Sequence, residues 1–300
     1  MRALKVIGST PARPTVIHTL SEFVTLISTY AEGEDRLKCY RGQMNIDWDA
    51  VPGIFRSDLV RLQQHEKRAI RDLISVHPGE FADDHTMFDR LVRMQHFGLP
   101  TRLMDVSLNP LVALYFATEP TTDGAPTDGL VSAFAIPEER EKYYDSDAVS
   151  CQANLANLTA SEKTAIVDIR AKRPPNSPLA EEREHANDQE VYKRLHQFVR
   201  VEKPYFLPII DPIDLFKPYY VHPKRSNRRI VAQSGGFIIY GLVPPRTINF
   251  AHAIAETRFS IPHPVKSAIR ASLDLLGINE STLFPELDRA AKRITSVYSD

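Results

Sequence analysis

The sequence predicts an α+β protein built as one domain over residues 1–300. Three observations carry that expectation. Segments with apolar residues at helical spacing and short β-branched or aromatic runs are interspersed along the chain, without the regular strand–helix–strand alternation of a doubly wound sheet. No internal repeat divides the chain. The composition, 43% hydrophobic and 25% charged over 300 residues, is enough to bury a substantial core.

The elements follow in order. Thr19 and Glu22 have capping-box spacing, and Phe23, Val24, Ile27 and Tyr30 then recur at helical spacing, which predicts a helix over about 20–30. Arg36 to Gly42 is a strand ending in Tyr40-Arg41-Gly42. A long helix is expected after Asp58, with Leu59, Leu62, Ala69, Ile70 and Leu73 on one face. Glu66 falls on that same apolar face. A helix over about 86–96 ends at Gly98, before Pro100. Asn109-Pro110 gives an N-cap with proline at the first helical position, opening a buried helix to about Ala117.

Gly129 to Ile136 is a strand. Residues 138–200 form a polar helical insertion, with one or two helices up to residue 190 and a closing helix carrying Val191, Leu195 and Phe198. Within it, Lys172 to Pro178 is an exposed loop. Phe237 to Val243 is a strong strand with Gly235-Gly236 as the breaker before it, and Arg258 to Ile261 is another. A helix over Pro264–Leu276 stops at Gly277, and a short helix over Leu283–Ile294 ends the chain.

Charge and cysteine content narrow the function classes. With 37 basic and 38 acidic residues the net charge is −1, which argues against binding nucleic acid through a global positive field but leaves room for a local basic groove. The densest cationic cluster is Lys224, Arg225, Arg228 and Arg229, either a solvated helix start or such a groove. Only Cys39 and Cys151 occur, so neither a disulfide framework nor a cysteine metal site is expected. No apolar run approaches the roughly 20 residues needed to span a bilayer, and the first residues lack a secretory apolar core. A cytoplasmic location without membrane contact is the expectation.

The chemically densest stretch is Met94 to Pro110. It sets Gln95, His96, Thr101, Arg102, Asp105 and Ser107 between two apolar segments, as a polar loop on a buried support. Arg41, at a strand end beside Gly42, has two readings: a bidentate grip on phosphate or carboxylate, or a structural salt bridge to Glu66. Glu66 is a candidate general base or ribose-hydroxyl acceptor, or a helix-edge residue reaching water. His96 is a packed or capping histidine, or a catalyst. Arg102 and Asp105 are close enough to pair locally, and Ser107 and Asn109 are simplest as N-caps. Gln233 precedes two glycines that leave room for either a ligand or a turn. No zinc-ligand spacing, phosphate-binding glycine loop or nucleophile elbow is present, so no metal site is assigned.

Tyr40-Arg41-Gly42-Gln43, Gln95 to Asp105, and Pro110 to Ala117 resemble the FRG-domain family, named for its aromatic-Arg-Gly motif. Arg229 to Phe237 is similar to that family's downstream segment, and Leu275 to Ile278 with Leu283 to Leu287 to its ending. A more distant resemblance is to ADP-ribosyltransferases. It implies a split mixed or antiparallel sheet flanked by helices, and three motifs on it. Tyr40-Arg41-Gly42 is similar to the first motif, and Thr101 to Ser107 with the following helix to the second. Gln233 falls where the third would be. The resemblance implies NAD as cofactor, held by Tyr40, Arg41, Gly42, Gln95, His96, Thr101, Arg102 and Asp105, with Arg41, Glu66 and Gln233 as catalytic residues. Where the third motif has a glutamate this chain has Gln233, so either Glu66 or Asp105 supplies the acid or transfer is lost.

The leading expectation is an NAD-dependent ADP-ribosyltransferase-like toxin or phage-defence effector that modifies RNA, DNA or a protein. Lys224, Arg225, Arg228 and Arg229 would guide the nucleic acid, and an antitoxin or chaperone would neutralise the effector. The second expectation is a non-catalytic nucleotide-sensing or nucleic-acid-binding module that has lost the acid. A third, a hydrolase using His96 with Glu66 or Asp105, has only the polar stretch behind it.

Overall fold

The computed structural model describes residues 13–32, 36–121, 124–173, 178–225, 227–242 and 254–285. Their strands are β1 (Thr15–Val16), β2 (Leu37–Gln43), β3 (Leu103–Ser107), β4 (Gly129–Ile136), β5 (Glu141–Tyr143), β6 (Tyr219–His222), β7 (Gly235–Ile239) and β8 (Ala255–Ile261). They form one mixed, open sheet in the order β1-β8-β4-β2-β3-β7-β6-β5. The pairs β1/β8 and β5/β6 are parallel and the rest antiparallel. With the helices around it, the architecture is α+β.

The sheet holds unevenly across its centre. β2 pairs with β4 along its whole length, from Leu37↔Ile136 to Gln43↔Leu130, and β3 pairs with β7 from Leu103↔Ile239 to Ser107↔Gly235. Between β2 and β3 the register holds at one position, Tyr40↔Ser107. Beyond it the two strands part, and the parting positions the site described below.

The helices are α1 (Leu20–Glu32), α2 (Val60–Gln64), α3 (Glu66–Val76), α4 (Met87–His96), α5 (Pro110–Ala117), α6 (Asp147–Asn154), α7 (Ala160–Ala171), α8 (Leu179–Asp188), α9 (Glu190–Glu202), α10 (Arg228–Ala232), α11 (Lys266–Leu275) and α12 (Glu280–Leu283). The expected caps are in place. Thr19 Oγ1 accepts from the Glu22 amide at 3.1 Å, and Asn109 Oδ1 accepts from the Leu111 amide at 2.9 Å. Gly98 follows α4 at a φ of +90°.

Four apolar clusters support the sheet. Tyr40, Val131, Ala133 and Phe259 pack against α1, α5 and α11. Leu103, Phe237 and Ile239 pack against α3, α4 and α6. The opposite face carries Cys39, Met104, Val106, Phe134 and Ile238. A separate cluster gathers Leu155, Ile166, Tyr192, Leu195 and Val199 from α7, α9 and their neighbours.

Several expectations change. The stretch expected as a polar loop contains β3, a central strand with Leu103, Met104, Val106 and Ser107 buried. A five-residue strand bounded closely by Pro100 and Pro110 offers too little alternation to be seen in sequence. The long helix after Asp58 breaks at His65 into α2 and α3, and its upstream residues 57–59 form a 3-10 turn. The described residues of 138–190 hold three α-helices and β5 rather than one or two helices. α8 buries only Ala186, so its apolar periodicity is faint. Gly235 and Gly236 lie inside β7 instead of breaking before it. A Cβ at Gly236 would sit 2.5 Å from the Tyr220 hydroxyl, so the strand needs glycine to cross that ring. Among the described residues the final helix is α12, ending at Leu283; Phe284 and Pro285, expected to open the 283–294 helix, are not helical, and residues 286–294 lie outside the described residues.

Candidate functional site

Where β2 and β3 part, a cleft of about 240 Å³ opens. Its floor is Tyr40, Arg41 and Gly42 of β2, Asp105 to Ser107 of β3, and Gly235 to Phe237 of β7. Its walls come from α4 (Val92, Gln95, His96), α5 (Val112, Ala113, Phe116) and α10 with its cap (Asn227, Arg229, Ile230, Gln233). The α5 wall stands directly on the β2 backbone. A Cβ at Gly42 would lie 1.8 Å from the Ala113 carbonyl oxygen, so any side chain there would push α5 away.

Arg41 acts as a splint across the parting. Its Nη1 donates to the Asp105 carbonyl oxygen at 2.7 Å, an acceptor beyond the last β2–β3 register pair. Its Nε has no hydrogen-bond partner among the described residues. Burial pulls the guanidinium's pKa down from its usual value, with Asp105 opposing that shift and Arg56 adding to it. The alternative in which Arg41 pairs with Glu66 is not realised.

Asp105 is fixed by a relay that accounts for much of the dense motif. The Leu103 amide donates to Thr101 Oγ1 at 3.1 Å, and the Thr101 hydroxyl donates to Gln95 Oε1 at 2.6 Å. The Gln95 amide then donates to the Leu103 carbonyl at 3.0 Å and to Asp105 Oδ2 at 2.8 Å. Using both ends of one amide fixes its orientation and the carboxylate it holds. Asp105 is nevertheless exposed, and it is the one carboxylate among the described lining residues.

Thr101, Arg102 and Glu66 do not line the cleft. Thr101 is buried and serves the relay. Arg102 is buried and donates Nε and Nη2 to the two oxygens of Glu66 at 3.0 and 2.6 Å. Its Nη1 serves the carbonyls of Tyr240 and Gly241 at 3.0 and 3.1 Å. Lys163 of α7 donates to the same Glu66 carboxylate. Burial opposes ionisation of Glu66, but Arg102 and Lys163 outweigh it and hold its pKa at about 2. Thus Glu66, expected as a catalytic acid, is the anion of a closed structural cluster, and Arg102 pairs with it rather than with Asp105.

Gln233 lines the cleft with its side-chain amide nitrogen committed to the Leu283 carbonyl at 3.0 Å, while its backbone carbonyl accepts from Ser107 Oγ at 2.7 Å. His96 lines the α4 wall, edge-on to Phe97. The expected basic groove divides. Lys224 is paired with Asp89 at 2.8 Å and lies over the Tyr144 ring. Arg225 and Arg228 are exposed, and Arg229 turns into the cleft wall. Sequence reasoning did not single out Asn227, Ile230 or Val92 as cleft residues. None carries a signal beyond helical spacing, and only the packing of three helices brings them together.

Fold and site define an α+β protein with a polar cleft where its central sheet parts. Residues 37–125 match the FRG domain family, which supports the FRG reading for that segment. The match covers β2, α4, β3 and α5, and stops before the α10 wall. No curated protein and no solved structure matches the chain. Among the described residues, no helix is long and apolar enough to cross a membrane.

Proposed function

We propose that the cleft binds a nucleotide of the NAD type and that the protein is an ADP-ribosyltransferase-like effector, with Asp105 as its acid. The observation that carries this reading is the Asp105 carboxylate, held by Gln95 on the floor of the parted sheet. The donor set fits one end of such a ligand. Asp105 is an acceptor for ribose hydroxyls, Phe116 offers an aromatic wall, and the Arg41 Nε is an unused buried donor. About 240 Å³ is below the roughly 300–1,000 Å³ of pockets that enclose a whole drug-sized ligand, so the cleft suits a nucleoside-sized moiety.

Bound NAD would supply an N-glycosidic bond whose cleavage releases nicotinamide and leaves positive charge on the ribose, whose carbon then bonds to the acceptor as the acceptor gives up its proton. Asp105 faces that charge as a fixed anion, and Gln95 keeps the carboxylate in place without reorganisation. Val92, Val112 and Phe116 give the cleft apolar wall surface beside it. Arg225 and Arg228, exposed ahead of and at the start of α10, are suited to a nucleic-acid backbone as acceptor, with a protein acceptor as the variant. A chain of this activity needs a neutralising partner in its own cell.

The test is transfer of label from NAD carrying it on the adenylate to RNA, DNA or lysate protein. The expected outcome is transfer that disappears in Asp105→Asn. Transfer that survives this substitution, or no transfer to any acceptor, overturns the assignment. One observation favours a second reading, a non-catalytic nucleotide-sensing or nucleic-acid-binding module: Gln233 stands where an acid is expected and its amide is already spoken for by Leu283. Nucleotide binding without transfer supports that reading.

A further inference from the structure

Three other cationic side chains stand at or near the cleft. Arg41 donates to the Asp105 carbonyl, Lys224 is paired with Asp89, and Arg228 is exposed at the start of α10. Arg229 differs from all three. It lines the cleft, and its guanidinium lies over the Phe284 ring with the carbon 4.8 Å from the centroid. No carboxylate among the described residues pairs with it.

The ring that carries it is itself fixed. Phe284 is buried and meets Phe116 edge-on at 6.0 Å and 87°. Stacking occupies the flat face of a guanidinium and leaves its N–H edges available in the plane. Arg229 therefore places a cation against a ring on the wall of the cleft, with none of its side-chain donors taken among the described residues. Holding it before binding also lowers the conformational cost of using it.

We infer that Arg229 is the phosphate-reading residue of this cleft, forking onto a phosphate group of a nucleotide whose sugar hydroxyls face Asp105. The inference rests on the nucleotide reading above and adds the residue that recognises the anion. The two charges divide the ligand between them. Asp105 on the floor repels an anion and accepts hydroxyls, whereas Arg229 on the α10 wall attracts the anion and supplies paired donors. A sugar joined to a phosphate satisfies both. The anion site thus stands on α10, while the arginine of the aromatic-Arg-Gly strand holds the sheet.

Calorimetric titration of the full chain with AMP and with adenosine tests this. Wild-type protein should bind AMP more tightly than adenosine, by a margin that shrinks as salt rises. Arg229→Gln should weaken AMP roughly ten- to hundredfold and leave adenosine unchanged, abolishing the margin. Arg229→Lys keeps the charge without the planar fork and should restore part of it. If the glutamine variant melts early, the lysine variant and the salt dependence of wild type carry the test. An AMP margin that persists in Arg229→Gln overturns the inference. Equal wild-type affinity for AMP and adenosine overturns it while the nucleotide reading stands; failure of both to bind overturns both.

Discussion

Glu66 and Asp105 are both carboxylates held by polar side chains, and they stand in opposite situations. Glu66 is 3% exposed, and both its oxygens are taken by Arg102, with Lys163 added. Nothing in that cluster is left to offer a ligand. Asp105 receives one side-chain donor, from Gln95, and is otherwise open on the floor of a cleft. The contrast separates structure from site: a charge whose partners are complete stabilises the fold, while a charge fixed in position but incompletely paired is available for chemistry. The two arginines follow the same rule. Arg102 is saturated by a carboxylate and two carbonyls, and Arg229 rests on a ring with its donors free among the described residues.

The largest expected effect follows from removing the saturated charge. Glu66→Gln leaves Arg102 and Lys163 without their anion and should cost about 3–5 kcal/mol of stability in chemical denaturation. AMP affinity of the fraction that folds should stay at the wild-type value. A stable Glu66→Gln protein that fails to bind would reverse the comparison. The same cluster predicts an acid limb. Because the folded-state pKa of Glu66 is depressed from 4.5 to about 2, its contribution is fully present above pH 4.5. It is lost as pH falls through about 2. Denaturation midpoints of wild type and Glu66→Gln should therefore converge between pH 4.5 and 2.

Thr101→Val tests the relay that joins buried structure to open site. It strands the Leu103 amide and Gln95 Oε1, for a loss of about 1–3 kcal/mol, and frees Gln95 to turn. Transfer should fall further than stability alone explains, measured as kcal-equivalent activity loss against the shift in denaturation midpoint. The smallest stability effect belongs to Asp105→Asn. An amide oxygen still accepts from Gln95 at an exposed position, so stability should change by less than about 0.5 kcal/mol while transfer vanishes. A large drop in melting temperature would place Asp105 with Glu66 as a structural group.

Which parts of this were legible in sequence follows from the range of the forces involved. Local signals identified local structure: Thr19 and Asn109 cap the helices they were expected to cap, and Gly98 follows the end of α4. β4 has the limits, Gly129 to Ile136, that its largely apolar run predicts. β3 was concealed because its identity as a strand comes from neighbours 67 to 136 residues away, Tyr40 and Ile238 among them. The partnership of Glu66 was misassigned for a related reason. Its position on an apolar helix face required a partner, but the sequence did not favour Arg102 or Lys163 over Arg41, and only packing selects among them.

By itself the sequence determined the mixed helix-and-strand composition, the capped helices, the glycine beside Arg41 and the concentration of polar groups before α5. These depend on backbone preferences and on contacts within a few residues, which short stretches of chain encode directly. The tertiary structure decided that β2 and β3 part after a single register pair, that Arg41 braces the gap, and that Glu66 closes with Arg102 and Lys163. It also decided that Arg229 lies on Phe284 at the cleft wall. Those outcomes depend on which distant surfaces exclude water together, and burial is what converts a charged residue type into either a brace or a binding group.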